Sequence, residues 1–240
     1  MNPSVSGGLH CRGGQGPHLG LAEDLVLLGH DPVTGRPRVP SDVLRSAVAG
    51  GLLADLFRSG HLGLGDGGLV QAERDGSASV RLGGQLVWQK VRDRPDRDVA
   101  YWVEHLQEVS NLVTAGLVRA GLLRQLRVRH SESWWRRTSA LTPSGPVFAR
   151  ARTRELGLLL IRRTPLTQRT MALAALIDAA GLLPVVVHAA GIATITDLSI
   201  VTPVRTRIRH AFHRAATPEL VMICTAVAAT ADRPHPYSTP

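Results

Sequence analysis

The residues best suited to chemistry are arginines in a β-hairpin predicted over residues 122–141. They alternate there with apolar residues, and they include Arg127, Arg129, Arg136 and Arg137. A guanidinium group can bind two phosphate oxygens at once, and a basic hairpin after a helix is typical of the wing of a winged-helix DNA-binding domain. The preceding helix is apolar at near-heptad spacing and carries no exposed set of base-reading side chains. DNA binding through this hairpin is therefore one hypothesis.

The ten histidines raise the question of a metal or catalytic site. His210 and His213 lie three residues apart on a predicted helix, but no cysteine or acidic residue completes a ligand set at a known spacing. Because Arg209 and Arg214 flank them, an exposed basic face is the simpler interpretation. No phosphate-binding glycine loop, nucleophile elbow, paired carboxylate or kinase motif occurs. The sequence predicts no enzyme activity, no metal site and no cofactor.

The charge balance favours an anionic partner. The chain has 28 lysines and arginines against 19 acidic residues, and Lys90 is its one lysine, so nearly all the positive charge is arginine. A formal charge of +9 suits both nucleic acid and anionic phospholipid headgroups. Charge alone does not choose between these two partners.

The cysteines and the ends of the chain bear on its compartment and its domains. Cys11 and Cys224 are far apart, which argues against a disulfide framework and favours a reducing compartment. The first residues lack the pattern of a secretory signal, so we expect a cytoplasmic protein. Residues 1–20 and 232–240 are rich in Gly, Ser or Pro, and we expect them to be disordered around a single domain over 21–231.

Helices are the elements that must position these residues, and the stretch 21–60 predicts the central one. It contains a short helix, a turn rich in Pro and Gly, and a helix of small residues that begins near Ser41 and ends at Gly60. The small residues would let another element approach this helix closely. They are Ala47, Ala49, Gly50, Gly51 and Ala54.

The remaining periodicity predicts further helices and two hairpins. A short hairpin is expected over 61–71, and a single long helix over 98–120 with Asp96 or Asp98 as its cap. The apolar stretch 171–195 predicts two core helices with a break near Pro184 rather than a spanning helix. Other helices are expected at 85–92, 147–163, 167–180, 189–198, 202–215 and 218–231.

Five groups of short motifs occur in a distinctive order. They are LAEDLVLLG at 21–29, GGLLADL at 50–56 with GHL at 60–62, DVAYWV at 98–103, LVRAGLL at 117–123, and 173–183 with its AAGLL end. Their order and spacing resemble those of the Golgi phosphoprotein 3 family, which also has many bacterial members. The resemblance spans about residues 20–230.

The resemblance implies a mainly α-helical domain. A helical bundle core would be wrapped by amphipathic helices, with one projecting β-hairpin and a second short hairpin. Family members bind phosphatidylinositol 4-phosphate at membrane surfaces as peripheral adaptors, which implies a non-enzymatic protein at the inner face of a membrane. The family's hairpin mediates self-association, so a homo-oligomer is expected. The residues expected to contact a second copy or the membrane are Leu126, Val128, Trp134 and Trp135.

The headgroup pocket that the resemblance implies has changed composition in this chain. The family pattern has a Trp before the central helix, an Arg within it, and two basic residues on a later helix. A gapless match places these positions at Pro40, Ala49, Gln107 and Ser110. None of the four keeps the family's residue type. Arg36, Arg38 and Arg45 lie beside the same site in sequence and are the candidate phosphate contacts. The predicted function is binding of anionic phospholipid headgroups, with DNA binding through the hairpin as the alternative.

Overall fold

The computed structural model describes residues 19–73, 82–128, 138–143, 146–162, 165–189 and 198–233. These residues form ten α-helices and two two-stranded antiparallel sheets, so the predicted mainly helical fold with two hairpins is confirmed. The helices are α1 (Leu21–Gly29), α2 (Ser41–Arg58), α3 (Leu82–Asp93), α4 (Val99–His105), α5 (Val109–Arg119), α6 (Pro146–Ile161), α7 (Gln168–Ala179), α8 (Leu183–Ala189), α9 (Leu198–Ala215) and α10 (Pro218–Ala231). The strands are β1 (Leu62–Leu64), β2 (Val70–Ala72), β3 (Leu123–Val128) and β4 (Thr138–Pro143).

Helix α2 lies at the centre of the bundle and packs against α1, α3, α4, α5, α7 and α10. Its small residues make this possible. A Cβ atom on Gly51 would lie 2.8 Å from the backbone nitrogen of Ala22 and 3.0 Å from its Cα, so α1 runs directly over this glycine. The expected close approach of another element to this helix is confirmed. Gly60, with φ of 70°, ends the turn after α2 as predicted.

We expect Gly51→Ala to destabilise the protein by about 1–3 kcal/mol, because the added methyl group overlaps the backbone of α1. This overlap outweighs the gain of about 1 kcal/mol that alanine brings to a helix interior. Urea unfolding measures the change. The matched control is Gly116→Ala in α5, where nothing lies within 4 Å of the new Cβ and the variant should be neutral or more stable. Equal effects at the two glycines would contradict this packing.

The expected single helix over 98–120 is wrong. The chain forms α4 and α5 instead, with a turn between them in which the Val109 N–H donates to the Leu106 carbonyl at 2.9 Å. Periodicity missed the break because Leu106 and Val109 are both fully buried, so the apolar pattern continues across it. The predicted cap at Asp98 is present, since its carboxylate accepts the Tyr101 N–H at 2.8 Å.

One other boundary differs from expectation. Pro40, not Ser41, is the N-cap of α2, and Ser41 is the first helical residue. The break expected near Pro184 is confirmed: Gly181, with φ of 70°, follows the end of α7, and Pro184 lies in the first turn of α8, where its missing N–H costs little. Of the described helices, none is by itself long and apolar enough to cross a membrane. Helices α7 and α8 meet that test only as a pair bent by 117°.

Several expectations fall on positions that the structure does not describe. The helix expected over 189–198 lies almost entirely in such a stretch, as do most of the expected leader and tail. At the inner edge of the leader, Leu19 is described and is only 8% exposed, so it belongs to the core.

A fully buried carboxylate joins α1 to α6 and α7. Arg152 of α6 binds Asp24 through two contacts, Nε to Oδ1 at 3.1 Å and Nη2 to Oδ2 at 3.2 Å. Arg169 of α7 donates to Asp24 Oδ2 at 2.6 Å and to the Leu19 carbonyl at 2.5 Å. The hydrogen bond with Asp24 raises the pKa of the Arg152 guanidinium. This cluster holds the start of α1 against two later helices.

Candidate functional site

A cavity of about 670 Å³ opens between the C-terminal half of α1, the loop that follows it, the first turns of α2, and one face of α5. We call it the α2–α5 cavity. Its lining residues are Val26, His30, Pro37, Ser41, Leu44, Arg45, Val48, Ser110, Asn111, Thr114, Ala115, Val118 and Arg119. The lining combines an apolar floor with hydroxyl, amide, imidazole and guanidinium groups, and it contains no acidic residue.

The loop between α1 and α2 is held by its own side chains. Asp31 Oδ1 accepts the N–H groups of Val33 at 2.9 Å and Thr34 at 2.7 Å, and Gly35 takes the positive φ of 67° that the turn requires. Burial favours the protonated acid at Asp31, but the hydrogen bonds from Thr34 and Val33 outweigh it and lower the pKa. A backbone bridge between His30 and Pro37 closes the loop at the cavity wall.

Two arginines supply the positive charge of the α2–α5 cavity. Arg45 comes from the second turn of α2 and Arg119 from the last residue of α5, and both are exposed. Within the described part of the chain, neither side chain has a hydrogen bond or an ion pair. The partial positive charge at the start of α2 is opposed by the Asp42 carboxylate in its first turn, so the positive charge here comes from the two arginines. The cavity is therefore suited to an anion.

His30 is one of the residues that line the cavity. Its Nδ1 lies 2.7 Å from the Val26 carbonyl, which makes Nδ1 the protonated donor and Nε2 the unprotonated nitrogen of the neutral ring. Burial lowers the pKa of His30, the Val26 carbonyl opposes this shift, and the charge of Arg38 adds to it. The imidazole is thus neutral at neutral pH in the folded protein.

We expect His30 to destabilise the fold on acidification. Folding lowers the pKa of His30 below its usual value of 6.5, so the unfolded chain binds a proton more readily than the folded protein does. The stability that the neutral ring contributes is fully present above pH 6.5 and is lost as the pH falls from 6.5 through the lower pKa of the folded state. His30→Asn retains an N–H for Val26 but does not titrate. Urea unfolding at about pH 7.5 and about pH 5.5 should show a larger loss for the wild type than for His30→Asn. Identical losses would contradict this role.

The three arginines named from sequence occupy different environments. Arg45 lines the cavity, whereas Arg36 is exposed on the loop and Arg38 is a partly buried residue of the same loop. The Arg38 side chain is 17% exposed, with Nη2 3.7 Å from Asp31, and burial lowers its pKa. Arg38 therefore braces the loop. Arg119 was not singled out by sequence reasoning as a contact, although it lies within the LVRAGLL motif.

The four positions that match the family's headgroup pocket also lie in different environments. Ser110 lines the cavity, and its hydroxyl donates to the Gln107 carbonyl at 2.7 Å. The Gln107 side chain turns towards α2, where Nε2 donates to Ser46 Oγ at 2.9 Å. Ala49 is fully buried in α2 and Pro40 is exposed at its start. Positive charge thus enters this cavity from Arg45 and Arg119 rather than from the family positions.

The long hairpin is present as an antiparallel pair. In β3, Leu126 pairs with Ala140 and Val128 with Thr138. The other residues expected for self-association or DNA contact lie outside the described residues. They are Arg129, Trp134, Trp135, Arg136 and Arg137. Arg127 pairs through its backbone with Ser139.

A second cavity of about 300 Å³ lies at the other end of α2, between α7 and the start of α10. Its charged lining residues are Arg58 and Glu219, which have opposite signs. Arg58 also donates to Asp55 at 3.2 Å, so its charge is already paired. This cavity is less suited to an anion than the α2–α5 cavity.

Comparison with known families agrees with this architecture. The sequence model of the family described as Golgi phosphoprotein 3 (GPP34) matches residues 21–194, which run from α1 beyond α8 and include every lining residue of the α2–α5 cavity. No curated protein matches the chain. The match covers most of the sequence and agrees with the motif order. The chain belongs to the Golgi phosphoprotein 3 family.

Proposed function

We propose that this protein binds anionic phospholipid headgroups of the phosphatidylinositol 4-phosphate class, as a non-enzymatic peripheral adaptor at the cytoplasmic face of a membrane. One observation carries the proposal. Arg45 and Arg119, without partners among the described residues, line an open cavity that has no acidic residue in its wall. An anion would gain contacts there without displacing an existing ion pair.

The chemistry of the lining fits a phosphorylated sugar ring. Guanidinium groups bind phosphate oxygens through paired N–H donors. Ser41, Asn111 and Thr114 offer hydrogen bonds of the kind that ring hydroxyls need. The volume of about 670 Å³ is within the usual range for small-ligand sites.

Self-association is part of the proposal. The β3–β4 hairpin would bring copies together, which multiplies weak headgroup contacts on one membrane. The expected contacts remain those at Leu126, Val128, Trp134 and Trp135. Sedimentation of the protein with and without vesicles would measure the oligomeric state directly.

Vesicle co-sedimentation tests the headgroup proposal. Wild-type protein should bind vesicles that contain phosphatidylinositol 4-phosphate more tightly than vesicles of phosphatidylcholine alone, and added salt should weaken that binding. Phosphatidylserine vesicles of equal charge separate headgroup recognition from general attraction. Binding that is indifferent to lipid charge would overturn the proposal.

Duplex DNA belongs in the same experiment as the competing ligand. If the hairpin acts as a wing, binding to DNA should fall steeply with salt, and Arg127→Ala with Arg129→Ala should weaken it further. Under the headgroup proposal, the same two substitutions should weaken vesicle binding only through general attraction, by about 1 kcal/mol or less for each residue, and should do so equally for phosphatidylinositol 4-phosphate and phosphatidylserine vesicles. DNA binding without vesicle binding would favour the alternative.

A further inference from the structure

The α2–α5 cavity contains one group whose charge can change near neutral pH. Among the lining residues that the structure describes, Arg45 and Arg119 keep their charge at every physiological pH, no acidic residue is present, and His30 is the group that titrates. His30 directly follows α1 and lies in the wall that the next loop continues. A proton can therefore alter the charge of this site through His30.

Hydrogen bonding decides which nitrogen of the His30 ring takes up that proton. Nδ1 donates to the Val26 carbonyl at 2.7 Å, one turn earlier in the chain, so Nε2 carries the lone pair of the neutral ring. A proton from solvent binds this lone pair and forms a second N–H while the first hydrogen bond stays in place. The cationic ring then has one more donor for an anion.

The elements around His30 carry charged groups of both signs. They are Asp31 and Arg38 in the loop after α1, Asp42 and Arg45 in the first turns of α2, and Arg119 at the end of α5. Helices α6 and α7 also pack against α1, but their Arg152 and Arg169 bind Asp24 at its opposite end. Burial first, and then the charge of Arg38, lower the pKa of His30, so the ring is neutral at pH 7 before an anion binds.

The proposed ligand carries more negative charge than the two arginines balance. A phosphatidylinositol 4-phosphate headgroup has a charge of about −1.5 to −2 on its phosphomonoester at neutral pH and about −1 on its phosphodiester. Arg45 and Arg119 leave up to about one of these negative charges unmatched, in a partly enclosed cavity where water screens it less well. An anion within about 4–6 Å favours the cationic form of a histidine.

We propose that His30 is a third cationic contact of the α2–α5 cavity, formed when Nε2 takes up one proton from solvent as a phosphorylated headgroup binds. The inference rests on the proposed function and adds one proton to its binding reaction. Acidification should therefore tighten binding through His30. The phosphomonoester of the ligand also gains a proton in this pH range, which weakens binding to the wild type and to every variant alike.

Affinity at two pH values tests this contact. Calorimetry gives the dissociation constants of water-soluble glycerophosphoinositol 4-phosphate at about pH 7.5 and about pH 5.5, and the ratio of variant to wild type removes the titration of the ligand. For His30→Asn this ratio should rise by about tenfold from the higher to the lower pH, because one charge-assisted hydrogen bond is lost. His30→Gln is a second variant without a titratable ring and should behave in the same way.

The matched control is His105→Asn. The Nδ1 of His105 makes the same kind of contact, with the Tyr101 carbonyl at 2.9 Å four residues earlier, but this ring is exposed at the end of α4 and outside the cavity wall. The ratio of the dissociation constants of His105→Asn and wild type should therefore be the same at both pH values.

Proton NMR measures the protonation of His30 directly in the wild-type protein. The His30 ring signal is the one that is absent from the spectra of both variants at position 30. Saturating glycerophosphoinositol 4-phosphate should raise the pKa of His30. Glycerophosphoinositol without the 4-phosphate is the control ligand and should not raise it.

The outcomes separate this contact from the proposed function. If glycerophosphoinositol 4-phosphate binds but the ratio for His30→Asn does not change with pH, or the pKa of His30 does not rise, the contact is overturned and headgroup binding stands. If the soluble ligand shows the rising ratio but phosphatidylinositol 4-phosphate vesicles do not bind, the contact stands and the ligand is a soluble phosphate ester rather than a lipid. If neither ligand binds, the proposed function fails and the contact fails with it.

Discussion

Replacing Arg152 and Arg169 together with alanine is expected to destabilise the protein by about 3–5 kcal/mol. Both guanidinium groups bind Asp24, which has no exposed surface, so their loss leaves a buried carboxylate without a cation. Replacing Asp24 alone should lower the free energy of unfolding by less, because the two arginine side chains left without it are each 30% exposed and can be hydrated. Urea unfolding of the wild type and variants gives the free energies.

A third substitution makes this prediction specific. Adding Asp24→Asn to the double variant removes the buried charge and should recover part of the lost stability, although one more residue is then altered. Arg154→Ala, an exposed arginine on α6, is the matched control and should stay within about 0.5 kcal/mol of the wild type. A triple variant less stable than the double variant would show that the buried charge is not the cause.

Replacing Arg45 and Arg119 together with alanine is expected to weaken binding to phosphatidylinositol 4-phosphate vesicles by at least about 100-fold, because each hydrogen-bonding contact to a charged group contributes about 1.5–3 kcal/mol net of its exchange with water. The double variant should also lose affinity for water-soluble glycerophosphoinositol 4-phosphate, which carries the same headgroup without acyl chains. Arg45→Lys with Arg119→Lys retains the charge but not the paired N–H geometry, so intermediate affinity is expected. Neither residue has a described partner, so the fold should be unaffected.

Arg36→Ala is the charge-matched control for this pair. It removes an exposed arginine from the same loop region, outside the cavity wall, and should cost about 1 kcal/mol or less through general attraction to an anionic surface. Arg38→Ala is a less suitable control because it also removes the contact with Asp31 that braces the loop. If Arg36→Ala weakens binding as much as the Arg45 and Arg119 pair, the cavity is not the site.

The local pattern of the sequence was enough to predict most of the elements. Small residues in α2 predicted close packing, and Asp98 and Gly60 marked helix ends. Two apolar runs around a glycine-rich turn marked the short hairpin, and arginines alternating with apolar residues marked the long one. These features act over a few residues, so they are present in the sequence itself. The break between α4 and α5 was missed because burial continues through Leu106.

The candidate site depended on contacts between distant segments. Sequence proximity selected Arg36, Arg38 and Arg45, but the path of the loop puts only Arg45 into the cavity wall. Arg119 reaches the same wall because α5 packs against α1 and α2. No local pattern connects residues so far apart in the chain.

Composition by itself determined that this is a basic, arginine-rich chain suited to an anionic partner, and motif order pointed to its family. Only the tertiary structure decided which charges are available. Asp24 pairs with Arg152 and Arg169, Asp31 pairs with Arg38, and the two arginines of the cavity wall, Arg45 and Arg119, have no partner in the described part of the chain. The physical reason is that a charge is satisfied by its neighbours in space, and packing of the helices chooses those neighbours.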